Sequence, residues 1–271
     1  MITANPGNLL KFNSGATWQR HNLPGQNRLA FGLKCPKANG LPFQLFFASG
    51  AGSVSWKLVN PIDPTGGSSV TMDAADLIVT NKDGGGFWVT RTALTALTNA
   101  VDCGFWEAWV TVDGTVYKSE VMHFQESTDP TPIYRIRFTN SKDKDNVLYT
   151  SFSYSQFLYT TRWAFDTPRV DRETQQEVDG NGKRTTQFSR TVVRHRLEVA
   201  DVPDYAIEFL SSAVDMDGIQ FEDMAGAIAV VPMRNTTFES RRQGVSLNIA
   251  VFEFDATAES FNGCQPDFIT A

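Results

Sequence analysis

Residues 105–124 read FWEAWVTVDGTVYKSEVMHF, two runs of alternating character on either side of the pair Asp113-Gly114. An Asp-Gly pair readily takes the positive φ angles of a tight hairpin turn, so the segment predicts two antiparallel strands. Side chains alternate across a strand. Trp106, Ala108, Val110 and Val112 therefore share one face, and Phe105, Glu107, Trp109 and Thr111 the other. One set packs inward; the other looks outward or across an interface.

Working upstream, similar short runs occupy residues 28–33, 42–48, 54–60, 77–80 and 87–90. With the two arms of the hairpin, 105–112 and 116–124, they predict a β-sandwich. Residues 92–99, with Leu94 and Leu97 three apart, read equally as a helical turn or as a loop over the sandwich end. Gly84-Gly85-Gly86 follows Lys82 and Asp83, but no Lys-Ser/Thr opens a helix after it. It therefore reads as a hairpin turn before Phe87 rather than as a phosphate loop.

Residues 125–132, QESTDPTP, interrupt the hydrophobic pattern with two prolines and remove backbone donors that a strand needs. This predicts a linker dividing the chain into domains at 1–127 and 128–271. The second half opens with IYRIRFT, residues 133–139, where Ile136 and Phe138 alternate with Arg135 and Arg137 as in a strand with one wet face. Residues 148–165 then crowd Tyr149, Phe152, Tyr154, Phe157, Tyr159, Trp163 and Phe165 into one segment, which must be buried or lie at an interface.

Residues 170–199 place a Gly-rich turn, Asp179 to Gly182, between long polar arms, and so predict an extended β-hairpin. The arms carry Arg172, Glu173, Glu177, Lys183, Arg184, Arg190, Arg194 and Arg196. Such a ribbon should be solvated or lie against another polar chain, and the first seven of these residues form the candidate oligomer interface. Next, Ile207, Leu210 and Val214 fall at helical spacing behind Pro203, with Asp201 as a cap. Strands follow at 219–221, 227–232 and 245–254. A helix on a sheet makes this half β-rich α+β.

The 271 residues are 41% hydrophobic, 20% charged and 12% aromatic, a composition that folds and leans toward strands. A net charge of -6 disfavours nucleic acid as a partner. No apolar run is long enough to cross a membrane as a helix, and residues 1–15 lack the order of a secretory signal. Cys35, Cys103 and Cys264 are widely separated; they read as buried thiols, neither a disulfide framework nor a zinc site. His21, His123 and His195 form no metal-binding pair, and nucleophile-elbow and nucleotide-loop motifs are missing. No catalytic, cofactor or metal site is expected. The acidic pairs Asp215/Asp217 and Glu222/Asp223 read as ordinary surface carboxylates. Exposed rings at Trp88 and Trp109 would instead stack on sugars, giving a carbohydrate-binding or host-attachment protein as the alternative.

With these segments in view, the chain resembles the two-domain structural proteins of tailed phages and prophages that infect Bacteroidetes. The resemblance runs through CGFWEAWVTVDGTVYKSEVMHF (103–124), IYRIRFTNSKDKDNVLYTSFSYSQFLYTTRWAFDTP (133–168), the DGNGKR turn, VPDYAIEFLSSAV (202–214) and VFEFD with Cys264 after it. It implies an Ig-like sandwich followed by an assembly domain. It also implies a non-enzymatic tail, ring, adaptor or baseplate subunit, assembled in the host cytoplasm, carried in the virion and partnered by itself and by other tail or neck proteins. It carries over no catalytic residue.

Overall fold

The computed structural model describes residues 8–14, 32–37, 42–50, 52–62, 68–81, 85–92, 101–126, 134–144, 147–160, 163–165, 169–178, 180–213, 215–223, 228–230, 233–240 and 247–256. The protein is mainly β, with one α-helix among the described residues. Four sheets organise the strands.

The predicted hairpin is the centre of the first sheet. Here β8 (Gly104–Val112) turns into β9 (Thr115–Ser119), with φ of 48° at Asp113 and 80° at Gly114. The carboxylate of Asp113 also accepts from the backbone N–H of Gly52 and Ser53, at 2.8 and 2.9 Å. The run expected at 116–124 is two strands, because Ala108 donates its N–H to the Ser119 side chain at 2.8 Å instead of to a ladder carbonyl. The ladder breaks there, and β10 (Met122–Gln125) resumes against the start of β8. Beyond these, β1 (Phe12–Ser14) pairs with β9, and β2 (Leu33–Pro36) runs parallel to β10. On the opposite side of β8 lie β4 (Val54–Val59) and then β5 (Ser69–Thr71).

The second sheet is β3 (Phe43–Phe47), β7 (Phe87–Arg91) and β6 (Ile78–Asn81). Its aromatic face meets the first sheet: Phe43 lies 6.0 Å from Trp56 and Phe47 5.2 Å from Tyr117, both edge-on. Gly85 and Gly86 fall in the β6–β7 connection, and Gly84 is outside the described residues. A Cβ at Gly86 would lie 3.0 Å from the Phe46 ring and 3.2 Å from the Phe47 carbonyl, so a larger residue there would push the ring aside. Residues 93–100, which hold most of the segment expected as a helical turn or loop, are outside the described residues.

In the second half, β11 (Tyr134–Thr139) pairs with β12 (Gln156–Thr160) and β16 (Gly218–Asp223), and β17 (Ile228–Val230) extends β16. Ile136 and Phe138 are buried as the alternation predicts. The opposite face is lined by polar pairs rather than open to water, for Arg137 donates to Ser155 at 3.0 Å and to Gln220 at 3.3 Å. Of the aromatic segment, Tyr149, Tyr154, Phe157 and Tyr159 are buried.

The last sheet is built on β15 (Arg184–Pro203), flanked by β14 (Arg169–Val178), β13 (Trp163–Phe165) and β19 (Leu247–Ala256), with β18 (Met233–Ser240) beyond β19. In β19 both faces of the strand are buried at Ala250, Val251 and Phe252. The helix α1 (Asp204–Ala213) packs Ala206, Phe209, Leu210 and Ala213 inward; of the residues expected to face the core, Leu210 is buried, Ile207 is half-buried and Val214 is outside the described residues. Phe209 meets Phe138 edge-on at 5.1 Å. Asp201 does not cap it: that residue lies within β15, upstream of the first helical turn.

One hydrophobic core runs through both halves, from Leu9 to Phe252, and a buried polar seam crosses it. The Asn8 amide bonds both backbone groups of Gln44: it donates to the carbonyl and accepts from the N–H at 3.2 Å. The Gln44 amide does the same to Leu148, donating to its carbonyl at 3.1 Å and accepting from its N–H at 2.7 Å. Gln156 accepts from Leu9 N–H at 2.6 Å and donates to the Tyr149 hydroxyl at 2.8 Å. Asn8 replaces a missing neighbour on the edge of β3, and Gln44 and Gln156 satisfy backbone groups of the non-strand residues Leu148 and Leu9.

Candidate functional site

The hairpin predicted at 170–199 is present as a ribbon. Its strands pair from Arg169↔Arg194 to Val178↔Arg184, with one register shift at Gln175/Gln176. Gly182 takes a φ of 78° in the turn; Asp179 is outside the described residues. The rest of the sheet supports only the base of the ribbon. β19 joins β15 from Val193 onward and β13 joins it at Leu197–Val199. Among the described residues, positions 184–192 of β15 have β14 as their only ladder partner.

The candidate interface residues divide along this ribbon. Glu177, Lys183 and Arg184 are exposed at its far end, together with Gln176 and residues 180–182. Val178, an apolar residue at the tip, is 57% exposed. Arg194 sits at the base, partly buried, where β19 joins. Arg172, Glu173 and Arg190 hold register positions in the middle, Glu173 opposite Arg190; their side chains are outside the described residues.

Of the candidate stacking rings, Trp88 is buried against Phe46, with centroids 4.9 Å apart, and does not present its face to solvent. Trp109 is half-buried on the outer face of the first sheet. Its cross-strand neighbours are Lys57 on β4 and Lys118 on β9, whose ammonium groups lie 5.0 and 3.8 Å from the ring centroid. These strands flank β8 on opposite sides, so the cations approach the indole from both directions. The indole N–H donates to Glu107 at 3.0 Å.

Of the four carboxylates read in the sequence as surface groups, three have partners among the described residues, and Glu222 is buried rather than at the surface. It is ion-paired with Arg135, whose guanidinium lies 5.0 Å from the Phe157 ring. Asp215 pairs with Lys144 at 3.3 Å. Asp217 accepts from the backbone N–H of Ser141 at 2.8 Å and from its hydroxyl, bonds that hold its carboxyl below the ordinary value. The side chain of Asp223 is outside the described residues. His123 stacks on Phe105 at 4.4 Å; burial, then Lys34, lowers its pKa. His21, the side chain of His195 and Cys264 fall outside the described residues.

Cys35 is buried as expected, its thiol pushed up by burial and drawn down in part by Arg91. Cys103 is not buried: it is an exposed free thiol donating to Glu126 at 3.1 Å. Sequence reasoning missed the surroundings of Arg91, whose guanidinium is buried 5.5 Å from the Trp56 ring centroid. Burial lowers its pKa, and Asp76, Cys35 and Tyr159 offset the effect. Among the described residues no three His, Cys, Asp or Glu side chains cluster as metal ligands. A shallow depression lined by Gly52, Ser53, Val54, Ala74, Leu77 and Val79 offers no ionisable group. No helix among the described residues is long and apolar enough to cross a membrane. No protein-family model matches the chain, and comparison with curated proteins finds no match.

Proposed function

We propose that this chain is a non-enzymatic structural subunit of a tailed-phage virion, a tail, ring, adaptor or baseplate component that assembles through its second half. In this reading residues 1–127 form an Ig-like sandwich, and residues 128–271 form the assembly domain with its arm at 170–199. The sandwich faces other tail or neck proteins, and assembly takes place in the host cytoplasm before the subunit enters the virion.

The observation that carries the reading is the ribbon: a paired arm extending past the sheet that roots it, with an exposed tip. Two-stranded ribbons are marginally stable alone, and a projecting one is suited to hold a neighbour. The edge-on ring contacts between the first two sheets support the sandwich, and the resemblance in sequence supports the virion.

Light scattering after size exclusion tests it. The expected result is a closed multimer whose mass falls to one chain, with the fold intact, when Gln176–Thr186 is deleted. A parent protein that remains monomeric across the concentration range overturns the self-assembly reading.

A further inference from the structure

Among the described residues the ribbon has two open edges. Along its length β14 pairs with β15 alone among the described residues, and residues 184–192 of β15 pair with β14 alone. At about 3.4 Å per residue, each edge offers about 30 Å of backbone donors and acceptors. Neither stretch contains proline or lysine, two devices that commonly blunt an exposed edge. Both are rich in Thr and Val, which favour strands.

The edges differ in charge. β14 carries Asp171, Glu173 and Glu177 beside Arg169 and Arg172, whereas residues 184–192 carry Arg184 and Arg190 and no carboxylate. Two β15 edges brought together by a twofold axis would set guanidinium groups near guanidinium groups with no carboxylate to offset them. Unlike edges would bring opposite charges together. Strand direction agrees with unlike edges. Rotation about an axis along the ribbons preserves direction, so β14 of one copy meets β15 of the next antiparallel, as the two strands already run within one copy. A contact between unlike surfaces closes into a ring when the rotation permits, and closure removes both open edges.

We propose that copies of this chain join edge to edge through the arm. β14 of one copy forms an antiparallel ladder with residues 184–192 of β15 of the next, and the contact closes into a barrel of alternating strands. This rests on the self-assembly reading and names the surfaces that meet.

The test uses the full chain with proline at Glu173 or, separately, at Thr174. Successive residues of an antiparallel strand direct their N–H groups to opposite edges. One variant therefore removes a donor from the outer edge alone, and the other breaks the ladder within the hairpin. The outer-edge variant should keep the parent's circular dichroism and melting midpoint, yet scatter as one chain of 30.1 kDa where the parent is a multimer. Charge reversal gives the second arm. Glu177→Arg and Arg184→Glu, whose register partners within the hairpin are the uncharged Thr185 and Val178, should each be monomeric alone and assemble when mixed. A multimer that survives both proline variants overturns the edge contact while leaving self-assembly in place. A parent that is monomeric throughout overturns both. A parent that assembles only after residues 257–271 are removed assigns the β15 edge to the chain's own C-terminal residues, and overturns the proposal as well.

Discussion

Replacing Gln44 with leucine isolates the seam between the halves. Gln44 is fully buried, and its amide satisfies both backbone groups of Leu148. Leucine keeps most of the volume but can neither donate nor accept, so the Leu148 N–H and C=O lose their partners inside the protein. Leaving a buried backbone group unsatisfied costs about 1–3 kcal/mol. Two such losses at the half-buried Leu148, offset by about 1 kcal/mol because a polar amide no longer has to be buried, give a net cost of about 1–5 kcal/mol. Urea unfolding followed by circular dichroism reads this as a lower midpoint at unchanged slope. Gln44→Glu adds a pH signature. A carboxylate still accepts from Leu148 N–H but faces its carbonyl, and burial raises the pKa in the folded state above that in the unfolded chain. Stability relative to parent is therefore best below the unfolded carboxyl pKa and is lost as pH rises through the folded one. A Gln44→Leu protein within about 0.5 kcal/mol of parent, a change typical of surface substitutions, would refute the reasoning that the seam is held by these two bonds.

Gly218→Ala should destabilise by about 1–3 kcal/mol, because a Cβ there would fall 2.0 Å from the Thr139 hydroxyl; Thr139→Ala should recover part of the loss in a double-mutant cycle of thermal melts. Ser141→Ala should raise the Asp217 carboxyl toward its ordinary value, read by carboxyl-carbon NMR titration. The stability Asp217 contributes is present above its unfolded pKa and disappears as pH falls through the depressed folded value. Folded protein treated with iodoacetamide should be alkylated at Cys103 and spared at Cys35 until denatured, as peptide mass spectrometry would show. Glu126→Gln should quicken the Cys103 reaction near neutral pH, since the carboxylate, after partial desolvation, helps hold that thiol above its ordinary pKa.

The parts legible in the sequence were those set by local chemistry. Asp113-Gly114 fixed a turn because few pairs accept two positive φ angles. The Gly-rich segment before Lys183 marked the arm, and helical spacing marked α1. What escaped was set by distant neighbours. In β3, Gln44 alternates with Phe43 and Leu45 and reads as the solvent side of a half-buried strand, yet that side is covered by the second half through Leu148. The strands β1, β5 and β18 escaped because FNS and SVT are short and MRNTTFES is largely polar. They are strands because a neighbour supplies the ladder. The break between β9 and β10 depends on one serine hydroxyl taking a carbonyl's place, which no hydrophobic period records. Cys103 looked like any isolated thiol, and its exposure follows from its place just ahead of β8.

The seam and the arm place opposite demands on the same chain. Asn8, Gln44 and Gln156 spend their hydrogen bonds inward on backbone that would otherwise lack a neighbour, and so hold the two halves in one orientation. The arm leaves equivalent backbone groups without a ladder partner among the described residues. A protein that satisfies isolated backbone groups with side-chain amides at one place, yet at another extends two strand edges without a ladder partner among the described residues, meets the same physical problem twice. At the arm the proposed neighbour would supply that partner, and the hydrogen bonds that tie the halves together would help successive arms meet in register around a ring.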